Sequence, residues 1–141
     1  MKHIITSGCF DIIHAGHVTL LAHARSLGDF LTVGLNSDES VRGLKGLGRP
    51  VNRWEDRREV LLALECVDEV VITNGPDVAR FIMQQEADIW VKGGDYTMAT
   101  LDASEVRACE MVNTRIEIVP ITIPVSTTAI LNQLKKTMAP T

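Results

Sequence analysis

The chain has 141 residues, 45% of them hydrophobic, which suits one globular domain around one core. A net charge of −4 argues against a general nucleic-acid surface, and no apolar stretch approaches the roughly 20 residues a membrane-spanning helix needs. Three cysteines without a CxxC spacing describe neither a disulfide scaffold nor a zinc site, and Met1–Thr6 lacks the long apolar segment of a signal peptide, so a cytoplasmic protein is the simplest expectation.

In chain order, Lys2–Thr6 reads as a strand, and the small-residue turn Gly8–His17 follows it. Val18, Leu20, Leu21, Ala24 and Leu27 then repeat at helical spacing, predicting a helix over Ala15–Leu27 that Gly28-Asp29 stops. Phe30–Leu35 is a continuous apolar strand, and Asn36-Ser37-Asp38 caps a short helix running to Leu44. The basic, glycine-rich stretch Lys45–Pro50 is predicted to be a loop. Asn52-Arg53-Trp54-Glu55 has the form of a capping box opening a helix through Leu64. A strand at Glu69–Ile72 leads to the turn Asn74-Gly75-Pro76, with Pro76 at a favoured first helical position, and a helix to Gln85. Ile89–Lys92 is the fourth strand, Ser104–Val112 a helix and Ile116–Val119 the fifth strand. A last helix runs from Ser126-Thr127-Thr128 to Lys135-Lys136. The single domain is therefore expected over residues 1–136, with 137–141 a loose tail.

Apolar strands alternating with helices imply an α/β fold: a three-layer, Rossmann-like arrangement around a parallel sheet of about five strands. Ligands of such sheets bind beyond the carboxyl ends of the strands. Three features fall there: the Gly8–His17 turn, Asn36, and Lys92-Gly93-Gly94-Asp95.

The first turn carries the chemistry. His14 and His17 share one face at a helix start, where backbone N–H groups and the helix dipole favour an anion. Gly16 between them permits close approach of a ligand, and no third ligand completes a metal site, so no protein-held metal is expected. Among the other candidates the residue types leave alternatives. Asn36 is either a cap or a nucleotide-facing group. Arg42, Lys45, Arg49, Arg53, Arg57 and Arg58 form either a solvated helix face or a cationic rim for a polyphosphate, with function favoured for Lys45 and Arg49 in their loop. Arg57 is expected to pair with Asp56 or Glu59 at the surface. Trp54, Trp90, Cys66 and Cys109 are read as packing residues. Cys9, in the turn, is read as small rather than nucleophilic, having no committed base.

Gly8-Cys9-Phe10-Asp11 followed by His14-Ala15-Gly16-His17 resembles the HxGH signature of the nucleotidyltransferase superfamily. Ser126-Thr127-Thr128 is similar to the STT element of its cytidylyltransferase-like branch. With Leu44–Asn52 and Val91–Tyr96 added, the ordered set resembles the adenylyltransferase domain of ADP-heptose synthase, over about Ile4 to Leu134. The resemblance implies that His14, His17 and Lys45 stabilise charge on the transferring phosphorus and the leaving pyrophosphate. It implies backbone contacts from Cys9 and Phe10, and an Asp11 that stabilises the turn or meets nucleotide or metal. It places Lys92, Gly93, Gly94 and Asp95 beside base and ribose, and gives Ser126, Thr127 and Thr128 to phosphate. It also implies Mg2+ carried with the nucleotide triphosphate and a homodimer.

The expected reaction moves AMP from ATP to a sugar 1-phosphate. The nearest rival is CMP transfer from CTP to a small phosphorylated alcohol such as glycerol 3-phosphate, and a non-catalytic nucleotide-binding module comes behind both. Glycerol-phosphate cytidylyltransferases usually show an RTEG-like run before STT, whereas this chain reads Ile121-Thr122-Ile123-Pro124-Val125, which counts against the rival. The kinase domain that some ADP-heptose synthases carry is absent from the sequence, so a stand-alone transferase or an excised domain is expected.

Overall fold

The computed structural model describes residues 1–74, 78–94, 96–120 and 126–138. Five parallel strands, β1 (His3–Gly8), β2 (Phe30–Asn36), β3 (Glu69–Thr73), β4 (Ile89–Gly93) and β5 (Arg115–Val119), form one sheet in the order β3-β2-β1-β4-β5. Each of the five ends at or beyond its expected last residue, because the parallel ladder continues toward the carboxyl edge; Gly8, for example, pairs with Leu35. The order reverses between β1 and β4, which opens the crevice where α/β sheets bind ligands.

Alternation along β1 divides the apolar residues between two cores. Ile4 joins Leu20, Leu21, Ala24, Leu31, Val33, Leu35 and Leu61 on the face covered by α1 (Ala15–Ser26) and α3 (Trp54–Ala63). Ile5 joins Phe81, Ile82, Trp90, Ala108 and Cys109 beneath α4 (Val78–Gln85) and α5 (Ala103–Met111). Trp90 and Cys109 are thus packing residues, with Cys66 packed half-buried at the edge of the first core and Trp54 half-buried. Val18, counted in the apolar stripe, stays exposed.

Three local expectations are corrected. The helix α2 (Asp38–Lys45) is capped by the Ser37 hydroxyl, and Lys45 is its last residue rather than part of the loop. The capping box at Asn52 does not form: Arg53 is the N-cap of α3, with no side-chain cap bond. Asn52 is drawn away by other bonds, its N–H to Asp11 and its carbonyl to Arg57. The helix α6 (Thr127–Met138) continues through residues assigned to the tail. The expected turn at Gly75-Pro76, the stretch 121–125 and residues 139–141 lie outside the described residues.

Gly34 in β2 sits under the buried Phe81 ring, and an added Cβ would stand 2.9 Å from two ring carbons. Gly34→Ala should therefore destabilise the fold by about 1–3 kcal/mol. Urea unfolding reads this, and Phe81→Leu in the same chain should restore part of the loss.

Candidate active site

The β1–α1 turn is held in an uncommon conformation. Phe10 and Ile12 both have positive φ, 46° and 53°, which L side chains adopt only where surrounding contacts enforce it. The enforcing bonds flank them: Arg57 Nη1 donates to the Cys9 carbonyl at 2.7 Å, and Thr127 Oγ1 donates to the Asp11 carbonyl at 2.5 Å. Downstream of the turn the two histidines cap α1 reciprocally. Gly16 N donates to His14 Nδ1 at 3.1 Å, and His14 N donates to His17 Nδ1 at 3.2 Å.

That capping decides the tautomer. With both Nδ1 atoms accepting, a neutral ring carries its proton on Nε2, so each histidine keeps one N–H donor for a ligand. The rings stack 3.8 Å apart. Burial first, and then the His14 ring, hold the His17 imidazole down at about 4 against an ordinary 6.5. Burial also lowers His14. Both imidazoles are therefore neutral at pH 7, and among the described residues no group of three metal-ligating side chains forms.

These groups open onto one cavity of about 630 Å3, a size suited to a small ligand. It is walled by His14 and His17 from the start of α1, Lys45 from the end of α2, Asn36 from β2, Lys92 and Gly93 from β4, and Ser126, Thr127 and Thr128 at the start of α6. Cys9, Phe10, Asp11 and Gly16 complete the turn side. Gly94, at φ +127°, follows β4 with its N–H bonded to Val119 O, and Asp95 lies outside the described residues.

Several side chains in this wall already have partners. Asp11 is buried, and its carboxylate accepts Val51 N at 2.6 Å and Asn52 N at 3.0 Å, with Arg49 Nε 3.5 Å away. Of the roles open to it, stabilising the turn is the one the geometry fills, and Arg49 sits beside it as an ion-pair partner whose Nε makes no hydrogen bond among the described residues. Asn36 is no cap: it donates to Cys9 Sγ and accepts from Thr73 Oγ1. Ser126 Oγ accepts Ala129 N and so caps α6, while Thr127 gives its hydroxyl proton to the turn. Lys45 alone of the six basic residues in the cluster lines the cavity; Arg53 pairs with Asp56 and Glu55.

Arg57 is the residue that residue-type reasoning placed wrongly. It is only 1% exposed, and its guanidinium donates to Asn52 O at 2.8 Å, Cys9 O at 2.7 Å and Asp38 Oδ1 at 2.7 Å. It thereby joins the turn, the loop and α2. The charge pattern hides it because its neighbours Asp56, Arg58 and Glu59 are all exposed, and only its spacing from buried Leu61 puts it on the inner face. Glu105, from α5, also lines the cavity and carried no signal in the sequence.

Residues 5–138 match the family model described as cytidylyltransferase-like. A relative named bifunctional protein HldE, from Geotalea uraniireducens (strain Rf4), is 44% identical over 132 residues, 94% of this chain and 26% of that protein. Its namesake from Streptomyces coelicolor (strain ATCC BAA-471 / A3(2) / M145) is 53% identical over 98 residues, 70% of this chain and 21% of that protein. The chain thus spans about a quarter of the length of these relatives. The solved structure of a lipopolysaccharide core biosynthesis protein from Thermoplasma volcanium GSS1 superposes with a TM-score of 0.70 at 25% identity, over 86% of this chain and 97% of that one. The fold is shared by Thermotoga maritima TmcAL bound with alpha-thio ATP, with a TM-score of 0.68 at 15% identity, covering 97% of this chain and 51% of that one.

Two outcomes follow from the site's internal bonds. The unfolded chain binds more protons than the folded one between about pH 4 and 6.5 because His17 titrates lower when folded. Stability should therefore rise with pH across that window and fall on acidification; His17→Asn, which keeps an oxygen for the His14 N–H, should flatten this part of a thermal-unfolding pH profile. Arg57→Met leaves two carbonyls and Asp38 without their donor and should lower stability by about 2–4 kcal/mol in urea unfolding.

Proposed function

This chain belongs to the cytidylyltransferase-like family, and on that premise we propose that it transfers AMP from ATP to a sugar 1-phosphate of the heptose 1-phosphate kind, releasing pyrophosphate and giving an ADP-sugar. Nucleotidyl transfer as the class of reaction comes with the family. The observation that carries the reading is the meeting of both imidazoles, the Lys45 ammonium and the α6 N-terminus around one cavity. Support for ATP and a sugar phosphate is the likeness of Leu44–Asn52 and Val91–Tyr96 to ADP-heptose synthase, together with the identities to the HldE relatives.

In the proposed reaction a phosphate oxygen of the acceptor attacks the α-phosphorus in line with its bond to the β-phosphate. The new P–O bond forms as the old one breaks, and pyrophosphate leaves with the electron pair. The attacking oxygen is already ionised near pH 7, so no general base is needed, and the protein's part is positioning and charge stabilisation. His14 and His17 offer Nε2–H donors fixed by their Nδ1 caps. Lys45, exposed at the end of α2, brings the positive charge. Magnesium riding on the triphosphate would neutralise phosphate charge. Its ligands in this proposal are phosphate oxygens and water, since the carboxylate of Asp11 is already engaged by Val51 and Asn52.

A pyrophosphate-release assay across nucleotide triphosphates and phosphorylated acceptors tests the reading. Release is expected with ATP and an aldose 1-phosphate. Turnover only with CTP and glycerol 3-phosphate would move the assignment to the cytidylyl rival, and turnover with no pair would leave a binding module. Lys45→Met and His17→Asn should each lose on the order of a hundredfold or more in kcat while the fold persists.

A further inference from the structure

Glu105 has no part in the transfer chemistry described above, yet it is buried in the wall of the same cavity. It occupies the first turn of α5, where Asp102 is the cap. Its side chain forms a long ion pair with Lys92, 3.8 Å from Nζ to Oε2, and Oε2, itself buried, has no hydrogen-bond partner among the described residues. Lys92 also faces two rings, with Nζ 4.8 Å from the centre of Tyr96 and 5.6 Å from that of Trp90. Burial pushes the Glu105 carboxyl up and Lys92 draws it back. An under-bonded carboxylate at 9% exposure is costly unless something donates to it.

The position of this carboxylate limits what it can meet. His14, His17, Lys45 and the start of α6 supply donors for phosphate from α1, α2 and α6, whereas the one lysine near Glu105, Lys92 of β4, is paired with it, and Glu105 itself carries the wrong sign for an anion. Asn36, the neutral polar side chain at the end of β2, is held by Cys9 and Thr73 on the side of the cavity away from α5. A carboxylate only accepts hydrogen bonds, and the uncharged donors of a nucleotide or a sugar phosphate are mainly hydroxyls.

We propose that Glu105 is a specificity residue that accepts hydrogen bonds from sugar hydroxyls bound in the β4–α5 end of the cavity. The inference rests on the nucleotidyl-transfer reading and adds the group that reads the sugar. The hydroxyls belong either to the ribose of the nucleotide or to the sugar of the acceptor, and the test has an arm for each.

Calorimetry on the whole chain measures binding of ATP, 2′-deoxyATP and 3′-deoxyATP. A kinetic arm compares the aldose 1-phosphate that turns over with its monodeoxy analogues. In the unaltered protein one arm should show a penalty of about tenfold or more for the missing hydroxyl, the scale of a charge-assisted hydrogen bond. That penalty should shrink toward unity in Glu105→Met, which keeps the length of the side chain but cannot accept from a hydroxyl, and survive in Lys92→Met. If Glu105 only anchors Lys92, the penalty will be unchanged in Glu105→Met, and the proposal is overturned. The absence of any penalty in the unaltered protein overturns it without recourse to a variant. Discrimination against inosine triphosphate that Glu105→Met abolishes, with the deoxy penalty unchanged, would assign the carboxylate to the base amine and also contradict it. Failure of the unaltered protein to bind either ATP or CTP would instead remove the nucleotidyl-transfer reading, and this inference with it.

Discussion

Asp11 is the knot on which the site depends. Its carboxylate takes the amides of Val51 and Asn52, and its carbonyl takes the hydroxyl of Thr127. Those partners lie 40, 41 and 116 residues away along the chain. One residue thus brings the turn, the far end of the basic loop and the last helix to the same edge of the sheet. A buried carboxylate survives only with donors of this kind, and Arg49 beside it supplies opposite charge. Arg57 repeats the device with reversed sign, a buried guanidinium satisfied by two carbonyls and Asp38. Together they hold the positive-φ residues Phe10 and Ile12 against their preference, and that turn delivers the histidines to the cavity.

In the proposed reading the cavity meets phosphate by direction more than by charge. His17, lowered to about 4, is neutral at pH 7, and its Nδ1 is occupied, so what remains is an aimed Nε2–H. Keeping the stacked rings neutral also avoids the repulsion two imidazolium ions would suffer 3.8 Å apart. Of the two lysines in the cavity wall Lys92 is paired with Glu105, and Lys45 stands at the exposed end of a helix whose start is tied to Arg57 through Asp38. The two ends of α2 therefore serve different purposes, one anchored to the turn and one open to a ligand.

Much of this was legible in the residues. The five strands, their alternation with helices and the location of the site at the carboxyl edge all followed from apolar runs and small-residue turns, because burial on both faces leaves an unambiguous pattern. The HxGH and STT elements announced the cavity wall. What escaped was set by long-range bonds. The capping box at Asn52 failed because Asp11 and Arg57 claim that residue's backbone. Arg57 looked like one charge among six, and only tertiary packing makes it the buried one. The glycine-rich, basic run Lys45–Pro50 reads as a loop from its first residue, although Lys45 closes α2 and Gly46, at φ 93°, is its C-cap. Glu105 had no motif at all; its meaning comes from the place of α5 beside the cavity, which no local pattern encodes.

The claim beneath all of this is that imidazole donors, an ammonium and a helix N-terminus address a single triphosphate. A crystal soaked with a non-hydrolysable ATP analogue tests it most directly. The expected map shows phosphate oxygens within about 3.2 Å of His14 Nε2, His17 Nε2 and Lys45 Nζ. Phosphates bound on another surface, or in the cavity but away from both rings, would contradict it.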